Sequence, residues 1–272
     1  MFTETARLVT ESWRVVRSAP LLWVAVFLPY AIPSLPPIRG LRSVDCLLAP
    51  MSLFAWLITL PAIPFLVAQA QQRQRPTLQE TRRVVTSTLP RFLGLCVIEA
   101  IAAAPFILIL AYPSDRPDAA SFSVVAVLLA RHVLIPFLGA VVAIAAAGIT
   151  LDRLNGFQAL ADGVLIATNN VLIILPLSIL ISVIASGLNT GLDMLQAGPE
   201  FALRQLSAFA PTVPADNSAW QYAFWRLVSA LLALPLSVYS STLWVLLYNS
   251  ATAKVAYPWI ARNRAARHLP NP

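Results

Sequence analysis

An all-α, polytopic transmembrane helical bundle of about six spans is predicted by three observations. The 272 residues are 58% hydrophobic and only 11% charged, with a mean hydropathy of +0.73, whereas soluble domains carry about 25% charged residues. Six apolar runs can be drawn, Leu21–Ile38, Leu47–Ala68, Phe92–Tyr112, Phe122–Thr150, Val164–Gly187 and Leu227–Tyr248. Each is near or above the roughly 20 residues a helix needs to cross about 30 Å of hydrocarbon. The alternating segments of about ten residues that a membrane β-barrel requires are absent from the sequence. Residues 1–272 therefore read as a single integral membrane domain.

Charge sets the orientation. The net charge is +7 and every basic residue except Lys254 is arginine, so a nucleic-acid partner has to be considered. The basic residues, however, gather at alternate ends of the apolar runs, as the positive-inside rule requires, and no nucleic acid is expected. Arg73, Arg75, Arg82, Arg83 and Arg91 face Glu80 alone in the connector 73–91, which places that connector in the cytoplasm. With both termini also inside, 13 of the 19 basic residues share that side, giving an N-in, C-in topology. Cys46 and Cys96 then fall near opposite faces, so no disulfide joins them. Glu4 and Glu11 interrupt the basic-then-apolar pattern of a cleaved leader, and the first run is expected to direct insertion itself.

Taken in order, Thr3–Ser18 places Leu8, Val9, Trp13 and Val16 on one helical face and Arg7, Arg14 and Arg17 elsewhere. An amphipathic surface helix over 3–18 follows, ended at Ser18-Ala19-Pro20. The first span carries Pro29, Pro33, Pro36 and Pro37 and is expected to kink or unwind in its outer half. The second returns through Pro61 and Pro64 to the polar exit QAQQRQR. In the connector, Pro76-Thr77 with Glu80 three residues on has capping-box spacing, so a basic amphipathic helix leads into the third span. ESWRVV at Glu11–Val16 matches ETRRVV at Glu80–Val85 and, more loosely, GFQALADGVL at Gly156–Leu165 matches TLQETRRVVT at Thr77–Thr86. A surface helix before spans one, three and five, used as a threefold repeat, accounts for these matches; the plainer account is that every cytoplasmic connector tends to be basic and amphipathic. The fourth run is too long for one perpendicular helix, and a span beginning near His132 or one tilted helix would both keep Arg131 out of the bilayer centre. The outer connector 188–221 holds a surface helix starting at Pro199, and Trp220, Tyr222, Phe224 and Trp225 mark the outer interface as Tyr257 and Trp259 mark the inner one.

Few residues offer chemistry. Glu99 is an intramembrane carboxyl, a candidate ion or proton site, with a structural hydrogen-bonded carboxyl as the plainer alternative. Arg131-His132 could bind a lipid phosphate, pair with a carboxylate, or present the His132 imidazole to a haem or chlorophyll-type pigment, though a lone histidine in a span is more often simply hydrogen-bonded. Asn169 and Asn170 open the fifth span as a further polar pair. Arg14, Arg17, Arg82, Arg83, Arg262 and Arg264 are placed to contact anionic lipid headgroups. The metalloprotease HExxH, the nucleophile elbow GxSxG, the phosphate loop GxxxxGK[ST] and paired zinc-ligand cysteines do not occur in the sequence. Neither a catalytic residue nor a metal or other cofactor is expected on that basis.

Three stretches, LVTESWRVVRSAPLLWV at Leu8–Val24, RPTLQETRRVVTSTLPRFLGL at Arg75–Leu95 and LNGFQALADGVLIATNNVLIILPL at Leu154–Leu177, resemble the membrane domain attached to some bacterial glycerophosphodiester phosphodiesterases and its stand-alone six-span relatives. In that family the phosphodiesterase chemistry belongs to a separate soluble domain, so the resemblance implies a membrane module and transfers no catalytic residue. The expectation is a non-enzymatic protein of the bacterial cytoplasmic (inner) membrane, a lipid-associated or accessory module whose partners are anionic lipids and other membrane proteins. A small transporter using proline-kinked helices and Glu99, or a cofactor-bearing subunit of a larger complex, are the alternatives.

Overall fold

Nine α-helices account for most of the residues described by the computed structural model of the chain, which are 2–31, 42–111, 129–197 and 219–268. They are α1 (Phe2–Ser18), α2 (Pro20–Ala31), α3 (Arg42–Gln71), α4 (Leu78–Ala111), α5 (Ile135–Asp152), α6 (Gly156–Asn169), α7 (Val171–Ala197), α8 (Ala219–Lys254) and α9 (Pro258–His268), with a π-helical turn at Ala130–Leu134 leading into α5. The fold is all-α, and three stretches, His132–Asp152, Val171–Leu188 and Leu227–Lys254, are long and apolar enough to cross a membrane. Shorter apolar segments, Pro20–Pro29 and Leu57–Gln71, stand in the first and second runs. Residues Pro33, Pro36 and Pro37, the expected helix from Pro199 and the side chains of Cys46, Trp220, Tyr222, Phe224 and Trp225 lie outside the described residues.

Local chemistry explains most of the helix ends. Pro20 has no N–H to donate and stops α1; the carbonyls this strands are taken by Ser18 Oγ, 3.0 Å from Val15 O, and by Trp23 Nε1, 3.0 Å from Val16 O. The helix α3 ends in a Schellman turn, with Gln74 N donating to Gln69 O at 2.9 Å and Arg73 N to Ala70 O at 3.1 Å, and Arg73 takes the left-handed conformation at φ 58°. The capping box expected at the start of α4 is present, Thr77 N donating to Glu80 Oε2 at 2.8 Å and Glu80 N to Thr77 Oγ1 at 3.2 Å. Donation to Glu80 Oε2 from Thr77 N and, at 3.0 Å, from Thr77 Oγ1 holds the Glu80 carboxyl below the ordinary carboxylate range. A second box starts α6, where Asn155 Oδ1 accepts from Gln158 N at 2.9 Å and Gln158 Oε1 from Asn155 N at 3.2 Å.

Helices α3, α5 and α8 touch one another at the centre; α2 and α4 pack against α3, α7 against α5 and α8, and α6 between α5 and α4. Lipid is as apolar as a leucine side chain, so close van der Waals contact rather than water exclusion holds such helices together, and small residues at the seams permit it. Ala140, Ala145, Ala146 and Ala147 of α5 are buried, and Gly163 of α6 approaches Val141 and Ala145. The outer surface is apolar as well: Val24, Val97, Ile101, Leu172 and Leu180 are all exposed, the complement of a hydrocarbon surrounding.

The amphipathic segments differ from the expected set of three surface helices. The apolar face of α1, with Leu8, Val15 and Val16 buried, lies largely on α8 while Trp13, Arg14 and Arg17 are exposed. In the connector, helix α4 runs unbroken from the basic segment into the third run; at 34 residues it is about 51 Å long. Helix α6 also has most of one flank buried in protein, through Gly156, Ala159, Asp162, Gly163, Ile166 and Ala167, so it is a packed helix rather than one lying free on the bundle. Helix α7 also continues to Ala197, nine residues beyond the start expected for the outer connector at Leu188.

Candidate functional site

A cavity of about 480 Å³ opens among α2, α3, α4, α5, α7 and α8. The residues that make it are those least able to fill a helix seam: Gly139, Ala140, Ala143 and Ala146 form its α5 wall. Proline shapes it from three sides, through Pro29, Pro64 and Pro136. Pro136 cannot donate to the carbonyl four residues back, and the wider π-helical turn at Ala130–Leu134 sits where that hydrogen bond is missing. The wall is apolar except for Cys96 of α4, Trp244 of α8 and hydroxyls, Thr59 from α3, Ser178 from α7 and Ser237, Ser240 and Ser241 from α8. Among the described residues, none that lines it is charged. Thr59 Oγ1, Ser237 Oγ and Ser240 Oγ donate to the carbonyls of Ala55, Ala233 and Ser237 at 2.9, 3.1 and 3.1 Å. Ser178 Oγ, in a residue 1% exposed, has no hydrogen-bond partner among the described residues. A neutral, concave, largely apolar space with a few hydroxyls can receive an apolar chain with a polar end.

At one end of the bundle, a polar cluster ties down the last helix. Asp152, buried at the end of α5, accepts from Arg264 Nε at 2.8 Å and from Arg264 Nη2 at 2.9 Å, a two-pronged carboxylate–guanidinium pair. Its Oδ2 also accepts from the phenol of Tyr248. Arg264 Nη2 reaches Thr252 Oγ1 at 3.3 Å, and Asn263 Nδ2 reaches Asp152 O at 3.4 Å. The pair with Asp152 raises the Arg264 pKa further, so its charge is fixed. The other end of α9 is held by Asp162 of α6, whose Oδ2 accepts from Ile260 N at 2.9 Å. A carboxylate at the N-terminus of a helix satisfies otherwise orphan amides, and here it comes from a residue far away in the chain. A second set joins α1, α3 and α8: Gln71 Nε2 donates to Glu11 Oε1 at 3.1 Å, Asn249 Nδ2 to Gln71 Oε1 at 2.8 Å, and Lys254 pairs with Glu4. The two sets together join α1 and the ends of α3, α5 and α8 with α6 and α9.

Asp162 carries a pH-dependent prediction. Burial raises its pKa above the ordinary carboxylate value, against the opposing hydrogen bonds from Ile260 and Trp259. A raised acid binds more protons folded than unfolded, so its contribution to stability declines as pH rises from its unfolded value through its folded one. Asp162→Asn keeps the capping oxygen without the charge and is expected to match or exceed the parent at pH 7, while Asp162→Ala is expected to lose about 1–2 kcal/mol. Thermal unfolding at pH 5 and pH 8 checks both, since the advantage of asparagine must grow toward pH 8.

The residues singled out by the sequence are scattered around these features. His132 Nδ1 lies 3.2 Å from Ser182 Oγ, a hydrogen-bonded histidine. Asn170 closes α6 and opens α7, its Nδ2 donating to Ile166 O at 2.8 Å and its own carbonyl accepting from Ile173 N and Ile174 N, both at 2.9 Å; Asn169 is exposed. The side chains of Glu99 and Arg131 lie outside the described residues. Arg14, Arg17, Arg82, Arg83 and Arg262 are exposed, with Arg262 5.9 Å over the Trp259 ring. Arg264 departs from that group, because its guanidinium is engaged by Asp152. Tyr257, expected at the interface, is 3% exposed, since α9 folds back onto α6 and α5. Asp152, Asp162, Tyr248 and Ser178 were not distinguished by any sequence motif; the one available signal was a carboxylate in or beside an apolar run, which has to find a partner. The chain is an all-α, membrane-associated protein, and comparison with protein-family models, with curated proteins and with solved structures gives no match for it.

Proposed function

We propose that this protein is a non-enzymatic, lipid-associated module of the bacterial cytoplasmic membrane, N-in and C-in with six spans, which accommodates a lipid chain and acts as an accessory to other membrane proteins. The cavity among α2, α3, α4, α5, α7 and α8 carries this reading, because apolar walls with hydroxyls and no charge among the described lining residues suit a hydrocarbon chain. The exposed Arg14, Arg17, Arg82, Arg83 and Arg262 support it, each supplying about 1 kcal/mol of attraction to an anionic surface. Kinship with the membrane domain of glycerophosphodiester phosphodiesterases belongs to the same proposal and rests on Leu8–Val24, Arg75–Leu95 and Leu154–Leu177.

Gly139 provides the test. It lines the cavity, and a Cβ added there meets nothing within 4 Å, so Gly139→Phe can fill the space without displacing a helix. Protein extracted with its native lipid and then stripped in mild detergent is expected to retain about one lipid per chain, and Gly139→Phe to retain none. Equal lipid retention by both proteins, or none by the parent, removes the reading.

A transporter is the second reading, favoured by Pro29, Pro64 and Pro136 standing together on the cavity wall, since proline-broken helices supply the free carbonyls and hinges that transporters use. Glu99 would be its coupling group. Reconstituted flux that disappears in Glu99→Gln while the fold is kept would favour it over the accessory role.

A further inference from the structure

We infer that a second cavity, at the corner between α1 and α2, holds the head of one anionic phospholipid of the phosphatidylglycerol kind, its phosphodiester paired with Arg75. The cavity, of about 450 Å³, is bounded by residues 18–21 of the corner, by Leu66 and Ala70 of α3, and by Gln74, Arg75 and Pro76 of the connector to α4. It shares no residue with the larger apolar cavity, and the inference rests on the functional reading only in taking the chain to lie in a lipid bilayer. The apolar segment Pro20–Pro29 begins at it and the apolar segment Leu57–Gln71 ends beside it, so it sits where hydrocarbon gives way to headgroups. Two local devices hold its polar side in place. The Schellman turn that ends α3, with Arg73 left-handed, turns the backbone back at the helix end, and the Thr77–Glu80 capping box fixes the chain immediately beyond Pro76.

Charge then specifies the head. Among the described residues that line the cavity, Arg75 alone is charged. It is exposed and makes no ion pair among the described residues, so its guanidinium is available to an anion, and the planar fork matches two phosphate oxygens. One fixed positive charge balances one phosphodiester. A head that carries an ammonium would bring a second positive charge beside Arg75, with no carboxylate among the lining residues described to take it. Hydroxyls are better received. Ser18 Oγ has given its proton to Val15 O at 3.0 Å and keeps lone pairs, and the Gln74 amide supplies both a donor and an acceptor. Size agrees, because at about 30 Å³ per water-sized group a volume of about 450 Å³ holds roughly 15 groups, the bulk of two glycerols joined by a phosphate. The acyl chains have a track of their own: Leu21 on the wall shares a helical stripe with Val24 and Leu28, which are 60% and 43% exposed. A free phosphate would use Arg75 and leave that stripe, Leu66 and Ala70 without a partner.

The experiment uses the full chain, stripped in mild detergent and titrated in native mass spectrometry with dioleoyl phosphatidylglycerol, dioleoyl phosphatidylethanolamine, dioleoylglycerol and free glycerol 1-phosphate. An open site with a single arginine empties on stripping, so binding is read from lipid added back. The expected result is one phosphatidylglycerol taken up per chain, about tenfold more tightly than dioleoylglycerol and several-fold more tightly than phosphatidylethanolamine, with no uptake of glycerol phosphate over the same range. Arg75→Gln breaks no ion pair within the protein and is expected to unfold at the parent's temperature, to bind phosphatidylglycerol about tenfold more weakly and to leave dioleoylglycerol unchanged. Ala70→Phe, which fills the apolar floor, is expected to bind neither lipid. Arg73→Asn removes the same charge from a residue that does not line the cavity, with a side chain that suits the left-handed backbone there, and is expected to bind as the parent does. Gly139→Phe, which fills the other cavity, is expected to do the same. The inference is overturned if Arg75→Gln or Ala70→Phe is silent, if Arg73→Asn weakens binding as much as Arg75→Gln, if Gly139→Phe abolishes it, or if any other probe binds as well as phosphatidylglycerol. A parent that keeps no lipid through stripping yet takes up phosphatidylglycerol through Arg75 removes the functional reading of the larger cavity and leaves this site standing.

Discussion

Asp152→Ala is expected to destabilise the folded chain by about 3 kcal/mol and to release α9 from the bundle. Asp152 is nearly enclosed, with a side chain 4% exposed, while that of its partner Arg264 is 43% exposed. Breaking a buried ion pair costs about 3–5 kcal/mol when an uncompensated charge is left inside. Here the charge that remains is the half-exposed arginine, which can turn toward water, so the lower figure applies. The rest of the loss comes from Tyr248, whose phenol is 1% exposed and donates to the same carboxylate; without Asp152 it is buried and unpaired. Asp152→Asn separates the two contributions, because its carbonyl oxygen still accepts from Tyr248 while the charge pairing with Arg264 is gone. It is expected to lose about half as much. Thermal unfolding in lipid nanodiscs measures the stabilities, and protease cleavage between Lys254 and Arg264 reports the release of α9. Equal stability for parent and Asp152→Ala would show that α9 is held by Asp162, Tyr257 and Ile260 alone.

Features written in a few adjacent residues were legible in the sequence; features that join distant helices were not. The stop at Pro20 and the Thr77–Glu80 capping box follow from local stereochemistry, and both are found where the spacing puts them. Asn155–Gln158 carries the same signature and yields the same box, although the segment invited comparison with a repeat instead. Amphipathicity alone could not say what an apolar face meets: Leu8, Val15 and Val16 would suit lipid as well as they suit α8. The polar cluster was out of reach for a different reason. Asp152 and Tyr248 are 96 positions apart and Asp152 and Arg264 are 112 apart, so only the fold reveals that the tail arginine belongs to a span-end carboxylate. The cavity stands between these cases. Proline in the apolar runs indicated imperfect seams, but nothing local indicated that Pro29, Pro64 and Pro136 share one space with Ser178.

Gly156→Ala is expected to cost about 3 kcal/mol, a large effect for one methyl group. At the first residue of α6, a Cβ would lie 2.6 Å from Leu95 N, 2.9 Å from the carbonyl carbon of Gly94 and 3.1 Å from Arg91 O. All three are backbone atoms of α4, so no side-chain rotation can relieve the contact and one helix has to move. Overpacking in a close-packed interior costs about 1–3 kcal/mol, and a contact with rigid backbone belongs at the top of that range. Moving α6 also moves Asp162, which caps α9, so the loss should extend to the far side of the helix. Gly94→Ala is the matched control: it lies on the opposing helix at the same crossing, yet its Cβ would meet nothing within 4 Å. Alanine there is expected to be neutral or to stabilise by about 0.5–1 kcal/mol, because glycine is the poorer residue inside a helix. Unfolding of the two variants side by side reads the packing directly. A loss at Gly156 with none at Gly94 assigns the cost to the α4–α6 crossing, and equal behaviour at both positions would mean that α6 does not approach α4 closely.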